Sequence, residues 1–205
     1  GFVIFLLGAL QLFKPLVFYL LLVIAFLVGL PFLIKLYTDV LTMHPLLQKR
    51  RYGWIFVSFS LLFLGLLFTT TFSPVIEWDS LSYHLAIPKM YLQHGGITYI
   101  PFIPHSNWPL LTEMLYVLGL GLNGAKLAKL IAFSFLSLLV LSTYQFGKRF
   151  FNKPTGIIAA ILLVSLPIIN QFGNETMVDI PLAFFQLVSL YALFQWCGSN
   201  KTYWF

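Results

Sequence analysis

Six of the 205 residues are acidic, and two of them, Glu77 and Asp79, stand one residue apart in EWDSLSYHLAIPK (77–89), directly after the apolar run 54–72. Two more, Glu175 and Asp179, are four apart in NQFGNETMVDIPLAFF (170–185). Paired carboxylates suit two kinds of chemistry. They can take a proton from an attacking hydroxyl, and they can hold a divalent cation, because hard cations prefer carboxylate oxygens. Each acid also has a plainer reading. Asp79 or Ser80 can cap the helix that follows, and Asp179, ahead of Ile180-Pro181, can cap the next one. Glu77 reads equally as a solvated boundary residue, and a helical turn would set Glu175 and Asp179 on one face.

Other polar side chains near these acids could bind a ligand. His84 lies five residues after Asp79, roughly on the same side of a helix, and reads either as an interfacial residue or as a ligand or proton carrier. With His44, His94 and His105 it forms no metal-ligand spacing. Lys89, like Lys126 and Lys129, either meets a lipid phosphate or snorkels to headgroups. Trp78, Tyr83, Tyr91, Trp108 and Tyr116 suit an aromatic belt, and Trp78 is the candidate to stack on a sugar.

The elements that must position these residues follow from composition. The chain is 60% hydrophobic and 9% charged, with a mean hydropathy of +0.91. An ordinary soluble domain is about a quarter charged. A soluble fold this apolar would expose patches that monomers avoid. The expectation is an all-α, polytopic transmembrane helical bundle. About 20 apolar residues cross the hydrocarbon core, and five runs qualify or nearly so: Leu16–Ile34, Trp54–Phe72, Ala125–Phe146, Gly156–Phe172 and Leu182–Cys197. A sixth, Gly1–Phe13, is too short to span and lacks the marks of a signal peptide. Without an initiator Met and ending at KTYWF (201–205), the chain reads as a fragment whose first helix is cut. The one cysteine, Cys197, excludes an intrachain disulfide and suggests helix packing.

Basic residues sort the loops. Lys35, Lys49, Arg50 and Arg51, then Lys148, Arg149 and Lys153, then Lys201 fall in alternate connections, all three of which the positive-inside rule assigns to the cytoplasm. This explains the net charge of +6 without nucleic acid. Five of the six carboxylates, Glu77, Asp79, Glu113, Glu175 and Asp179, then lie in the two outer connections, 73–124 and 173–181. Within the first, a helix after Asp79 carries Leu81, Leu85, Pro88 and Leu92 near one stripe, stops at Gly95-Gly96 and should lie along the membrane surface. LLTEMLYVLGLGL (110–122) reads as a second interfacial or re-entrant helix, which Asn123-Gly124 separates from the true span. The sequons at Asn174 and Asn200 fall too near the membrane and on the inner side to be used.

This order of parts resembles the N-terminal module of GT-C-type membrane glycosyltransferases, nearest to bacterial relatives of protein O-mannosyltransferases and of the lipid A aminoarabinose transferase. The residues that carry the resemblance are WDSLSYHLAIPKMYLQHGGI (78–97), SNWP (106–109), GKRFF (147–151), LLVSLPIIN (162–170) and NETMVDIPLAFF (174–185). It covers about 54–197, so that 1–53 reads as extra N-terminal helices and 54–205 as the N-terminal part of the module. The resemblance implies a sugar taken from a polyprenyl-phosphate donor and passed to a lipid, glycan or protein acceptor on the extracytoplasmic face of the cell membrane. Asp79, with Glu77 beside it, matches the family's first-loop acid. Asp179 matches the second, with Glu175 the alternative. Asp79 either takes the acceptor's proton or, with Asp179, holds a divalent metal ion against the phosphate. The fragment alone would be inactive, because later helices should complete the donor pocket. A transporter or flippase, and a non-catalytic membrane scaffold, are the competing readings. The transporter reading expects broken helices and charges inside them, whereas 156–172 reads as unbroken.

Overall fold

A computed structural model describes the backbone of residues 1–48 and 51–199, with every side chain there except those of 32–33, 35–57, 59–61 and 199. The chain is all-α, and among the described residues there is no strand. The helices are α1 (Phe2–Ala9), α2 (Pro15–Gln48), α3 (Arg51–Thr70), α4 (Ala86–His94), α5 (Glu113–Phe150), α6 (Lys153–Ser165), α7 (Pro167–Gly173) and α8 (Asp179–Ser199). A π-helical turn (Ser80–His84) precedes α4, and a 3-10 turn (Pro104–Asn107) precedes α5.

Among the described residues two helices are long and apolar enough to cross a membrane, Glu113–Phe150 and Asp179–Gly198. The α6–α7 pair makes a third if its halves count as one span. Exposed apolar side chains such as Val28, Leu62, Leu162 and Phe185 are those of a protein whose outer surface meets lipid. In the expected span 54–72 the side chains of 54–57 and 59–61 lie outside the described residues, as do those of Lys35, Arg51 and His44. Lys49, Arg50, Asn200 and Lys201 lie outside them altogether.

The run 156–172 is not one straight helix, contrary to expectation. Pro167 has no amide hydrogen, and its ring disfavours helical backbone at the residue before it. Leu166 accordingly turns extended (φ −71°, ψ 126°), and α6 and α7 meet at a 70° bend. The break expected at Asn123-Gly124 is present. Inside α5 those two residues leave helical geometry, Asn123 at φ −146° and Gly124 at φ 71°, and this sets 113–122 apart from the rest of α5.

Two of the three buried clusters among the described residues join most of the helices. In the first, α5, α6 and α8 pack through Leu136, Leu139, Val140, Ala160, Val164 and Ile180. The α5–α6 hairpin is closed by Asn152, whose Oδ1 accepts from the Thr155 amide at 2.9 Å, with Pro154 in the first turn of α6. Just beyond it the helices touch backbone to backbone: a Cβ on Gly156 would lie 2.5 Å from the Tyr144 carbonyl oxygen. The second core joins α1, the start of α2, α4 and the first turns of α5 through Ile4, Phe13, Phe18, Ile87, Tyr91, Met114 and Val117. Gly95 ends α4 in the left-handed region (φ 77°). The chain around it pairs with α1, with the Ile97 amide donating to the Gly8 carbonyl and the Phe13 amide to the Gly95 carbonyl, both at 2.9 Å.

Some expectations fail here for packing reasons. Tyr91 and Tyr116 are core residues rather than belt residues. Leu81, placed on the buried stripe by α-helical spacing, is exposed because the turn that carries it is π-helical. Cys197 is exposed rather than packed between helices.

Candidate active site

The segment after α3 aims its acids by means of an irregular turn. Asp79 has helical backbone (φ −64°, ψ −40°) and makes no side-chain capping bond, so the expected N-cap does not form. Ser80 does not cap either. It is fully buried and its hydroxyl donates to the Met177 sulfur at 3.8 Å. The Leu85 amide reaches back five residues to the Ser80 carbonyl at 2.9 Å. Ser80 and His84, at the two ends of this wider turn, both point inward.

Asp79 is half-buried, and its neighbour is Tyr83. Burial pushes the Tyr83 hydroxyl above its ordinary range. The Asp79 carboxylate adds to this through its charge and a side-chain hydrogen bond, followed by the charges of Asp179 and Glu113. Three carboxylates from three separate segments therefore act on one phenol. Asp179, exposed in the first turn of α8, sits where the helix dipole favours a negative charge.

Beside them lies a cavity of about 620 Å³, mostly apolar. Its walls include Tyr83 and His84 from the π turn, Trp108, Glu113 at the start of α5, and Val178 and Leu182 around the start of α8. His84 and Glu113 form a buried pair, Nδ1 to Oε1 at 2.9 Å. At the rim, Tyr83 stacks on His105 at 4.2 Å between ring centroids, and Trp108 meets His105 edge-on at 4.5 Å.

Glu77 and Glu175 belong to a second cluster. The Lys129 ammonium, 1% exposed, donates to Glu175 Oε1 at 3.1 Å, to the Ser73 hydroxyl at 3.2 Å and to the Ser73 carbonyl at 3.3 Å. Burial pushes Glu175 above the usual carboxylate range. The Lys129 hydrogen bond and charge oppose this, the charge of Glu77 adds to it, and a backbone hydrogen bond from Ile76 opposes it again. Glu175 Oε2 and the Thr176 hydroxyl are buried without a protein partner. The Tyr116 hydroxyl donates to the Met177 carbonyl at 2.7 Å, which fixes the same connection from the other side.

The expected site residues are thus sorted rather than gathered. The charges of Asp79 and Asp179 act on Tyr83, that of Glu77 acts on Glu175, and Glu175 is bonded to Lys129. Glu175 does not share a helical face with Asp179, because 174–178 is a turn and α8 begins at Asp179. Lys129 is an internal ion-pair partner rather than a headgroup lysine. Lys89 is exposed on a second hollow, with Leu81, Leu85 and Met90. Trp78 is 72% exposed and does not line the first cavity. Among the described residues no group of three or more His, Cys, Asp or Glu is placed to hold a metal ion. Sequence reasoning missed Glu113 as a partner of His84. The signal was an acid inside an apolar stretch beginning a helix, which demands a buried partner.

Comparison with known proteins gives three findings. Residues 104–205 match the family model of the dolichyl-phosphate-mannose-protein mannosyltransferases. An uncharacterized protein of Shigella flexneri is 24% identical over 155 residues, 68% of this chain and 76% of that protein. No solved structure matches. The family match takes in Glu113, Lys129, Glu175 and Asp179 but begins after the acidic pair at 77–79. The match to the dolichyl-phosphate-mannose-protein mannosyltransferase family covers just under half of the chain and fits a fragment of a GT-C-type membrane glycosyltransferase.

Proposed function

We propose that the protein transfers a sugar from a polyprenyl-phosphate carrier to a lipid, glycan or protein acceptor at the extracytoplasmic face of the cell membrane. The acceptor hydroxyl attacks the anomeric carbon, the bond from that carbon to the phosphate oxygen breaks, and the hydroxyl proton passes to Asp79. Polyprenyl phosphate leaves with the bonding electrons and needs no general acid. Asp179 faces the positive charge that develops on the sugar ring in such transfers. The observation that carries this reading is a cavity of about 620 Å³ lined by Tyr83, His84 and Glu113, with Asp79 and Asp179 near enough for their charges to act on Tyr83.

The sidedness rests on the opposite ends of the same helices. Lys148, Arg149 and Lys153 cluster at the α5–α6 turn, and the acids lie at the far ends of α5 and α8. The positive-inside rule puts the basic turn in the cytoplasm and the acids outside. One observation favours a transporter: the α6–α7 break. The residues of α7 are PIINQFG, however, with no ionisable group, and Glu175 just beyond is ion-paired to Lys129. The transferase reading uses more of the buried polar residues.

The test is Asp79→Asn in the full-length protein in membranes, with a polyprenyl-phosphate sugar as donor. Losing a general base lowers turnover about 10²–10⁴-fold, with donor binding and expression retained. Undiminished transfer removes Asp79 from the reaction.

A further inference from the structure

We propose that His84, fixed in one tautomer by Glu113, is the sugar-recognition group of the cavity, accepting a hydrogen bond from a hydroxyl of the donor's sugar through Nε2. This rests on the proposed glycosyl transfer and adds to it the group that reads the transferred sugar.

The pair is buried on both sides, His84 2% exposed and Glu113 4%. Glu113 is the first residue of α5, where the helix dipole favours a carboxylate. A carboxylate only accepts, so Nδ1 must carry the proton and donate it to Oε1 at 2.9 Å. In the tautomer with its proton on Nδ1, the ring's acceptor is Nε2. Nδ1 is the ring nitrogen with a protein partner, both residues line the cavity, and Nε2 is not among the buried polar atoms sealed off without a partner. The walls given by Val178, Leu182 and Phe185 are apolar, and of the polar side chains lining the cavity, which include Tyr83, Thr112 and Trp108, only Glu113 is bonded to His84.

Charge selects the ligand chemistry. The neighbours of Tyr83 are the carboxylates of Asp79, Asp179 and Glu113, and the buried Lys129 is committed to Glu175. A phosphate oxygen against His84 would face these anions, whereas a neutral hydroxyl would not. Glu113 acts as a positioning residue: it touches the histidine, not the ligand.

The experiment uses the full-length protein in nanodiscs and two probes, polyprenyl-phosphate mannose and bare polyprenyl phosphate, with binding read by tryptophan fluorescence. One well-made hydrogen bond predicts that the wild type prefers the mannosylated lipid by about tenfold. His84→Phe abolishes that preference and leaves affinity for the bare lipid within about twofold. Glu113→Leu does the same by releasing the ring. Glu113→Gln, which still accepts from Nδ1, keeps the preference and guards against mere misfolding. A preference that survives His84→Phe overturns the inference while leaving the transferase reading intact. Equal weakening toward both lipids also overturns it, by setting His84 against the phosphate. A wild type that binds neither lipid overturns the transferase reading and this inference with it.

Discussion

Replacing Lys129 with methionine tests whether the second cluster is the anchor of the acidic segment. The change keeps the length of the side chain and removes its charge. Three hydrogen bonds are lost: to Glu175 Oε1, to the Ser73 hydroxyl and to the Ser73 carbonyl. Glu175 already has one oxygen without a protein partner, so its carboxylate is left with the Ile76 backbone alone. Breaking a buried pair from one side costs about 3–5 kcal/mol. The loss has a ceiling, because Glu175 can bind a proton instead. For a carboxyl of ordinary pKa ~4.3, protonation at pH 7 costs about 3.7 kcal/mol, and at pH 5 about 1 kcal/mol. The expected destabilisation is therefore about 3–4 kcal/mol at pH 7.

The pH dependence has a definite sign. Burial raises the folded-state pKa of Glu175, and removing Lys129 raises it further. A raised carboxyl favours the folded state below its unfolded pKa, and that advantage fades as pH rises through the folded value. The defect of Lys129→Met should accordingly shrink by up to ~2.7 kcal/mol between pH 7 and pH 5. The assay is equilibrium SDS unfolding in mixed micelles, run as a double-mutant cycle with Glu175→Gln. Because the neutral pair leaves no stranded charge, the coupling should be at least ~2 kcal/mol. Strict additivity, or a defect equal at both pH values, refutes the assignment of Lys129 and Glu175 as a mutually dependent pair.

Three further substitutions probe the frame around the site. Tyr116→Phe removes the bond to the Met177 carbonyl inside a fully buried contact and should cost about 1–2 kcal/mol in the same unfolding assay. Gly156→Val drives a side chain into the Tyr144 carbonyl and the Lys148 amide, backbone atoms that cannot step aside. It should destabilise the α5–α6 hairpin by about 2–3 kcal/mol, read by the unfolding midpoint. Gly124→Ala meets no neighbouring atom but forces a side chain onto φ 71°. A loss of about 1–2 kcal/mol there would come from backbone strain alone.

The helical architecture was legible because lipid imposes a coarse rule. Long apolar runs, loop lysines and a Gly-Gly stop recover α4, α8 and the Asn123-Gly124 break. Pro167 was visible too, but its effect depends on whether neighbouring helices satisfy the freed carbonyls, which no local pattern reveals. The site was legible in its charges and not in their wiring. Acids in an apolar chain are conspicuous, so Glu77, Asp79, Glu175 and Asp179 could be named from composition and position. Their partners could not. Lys129 finds Glu175 across 46 residues and His84 finds Glu113 across 29, by packing rather than by spacing. The π turn mattered most: it leaves Leu81 outside while His84 and Leu85 are inside, whereas a 3.6-residue period sets all three near one face.

With only Trp78 between them, Glu77 and Asp79 are carried by one short stretch of backbone. Any tilt of the strap that follows α3 moves both anions at once, one against Lys129 and Glu175, the other against Tyr83. A guest that tugs on Asp79 must therefore strain or relieve the lysine lock on the far side, and loosening that lock must alter how firmly the guest is held, by the same free energy in either direction.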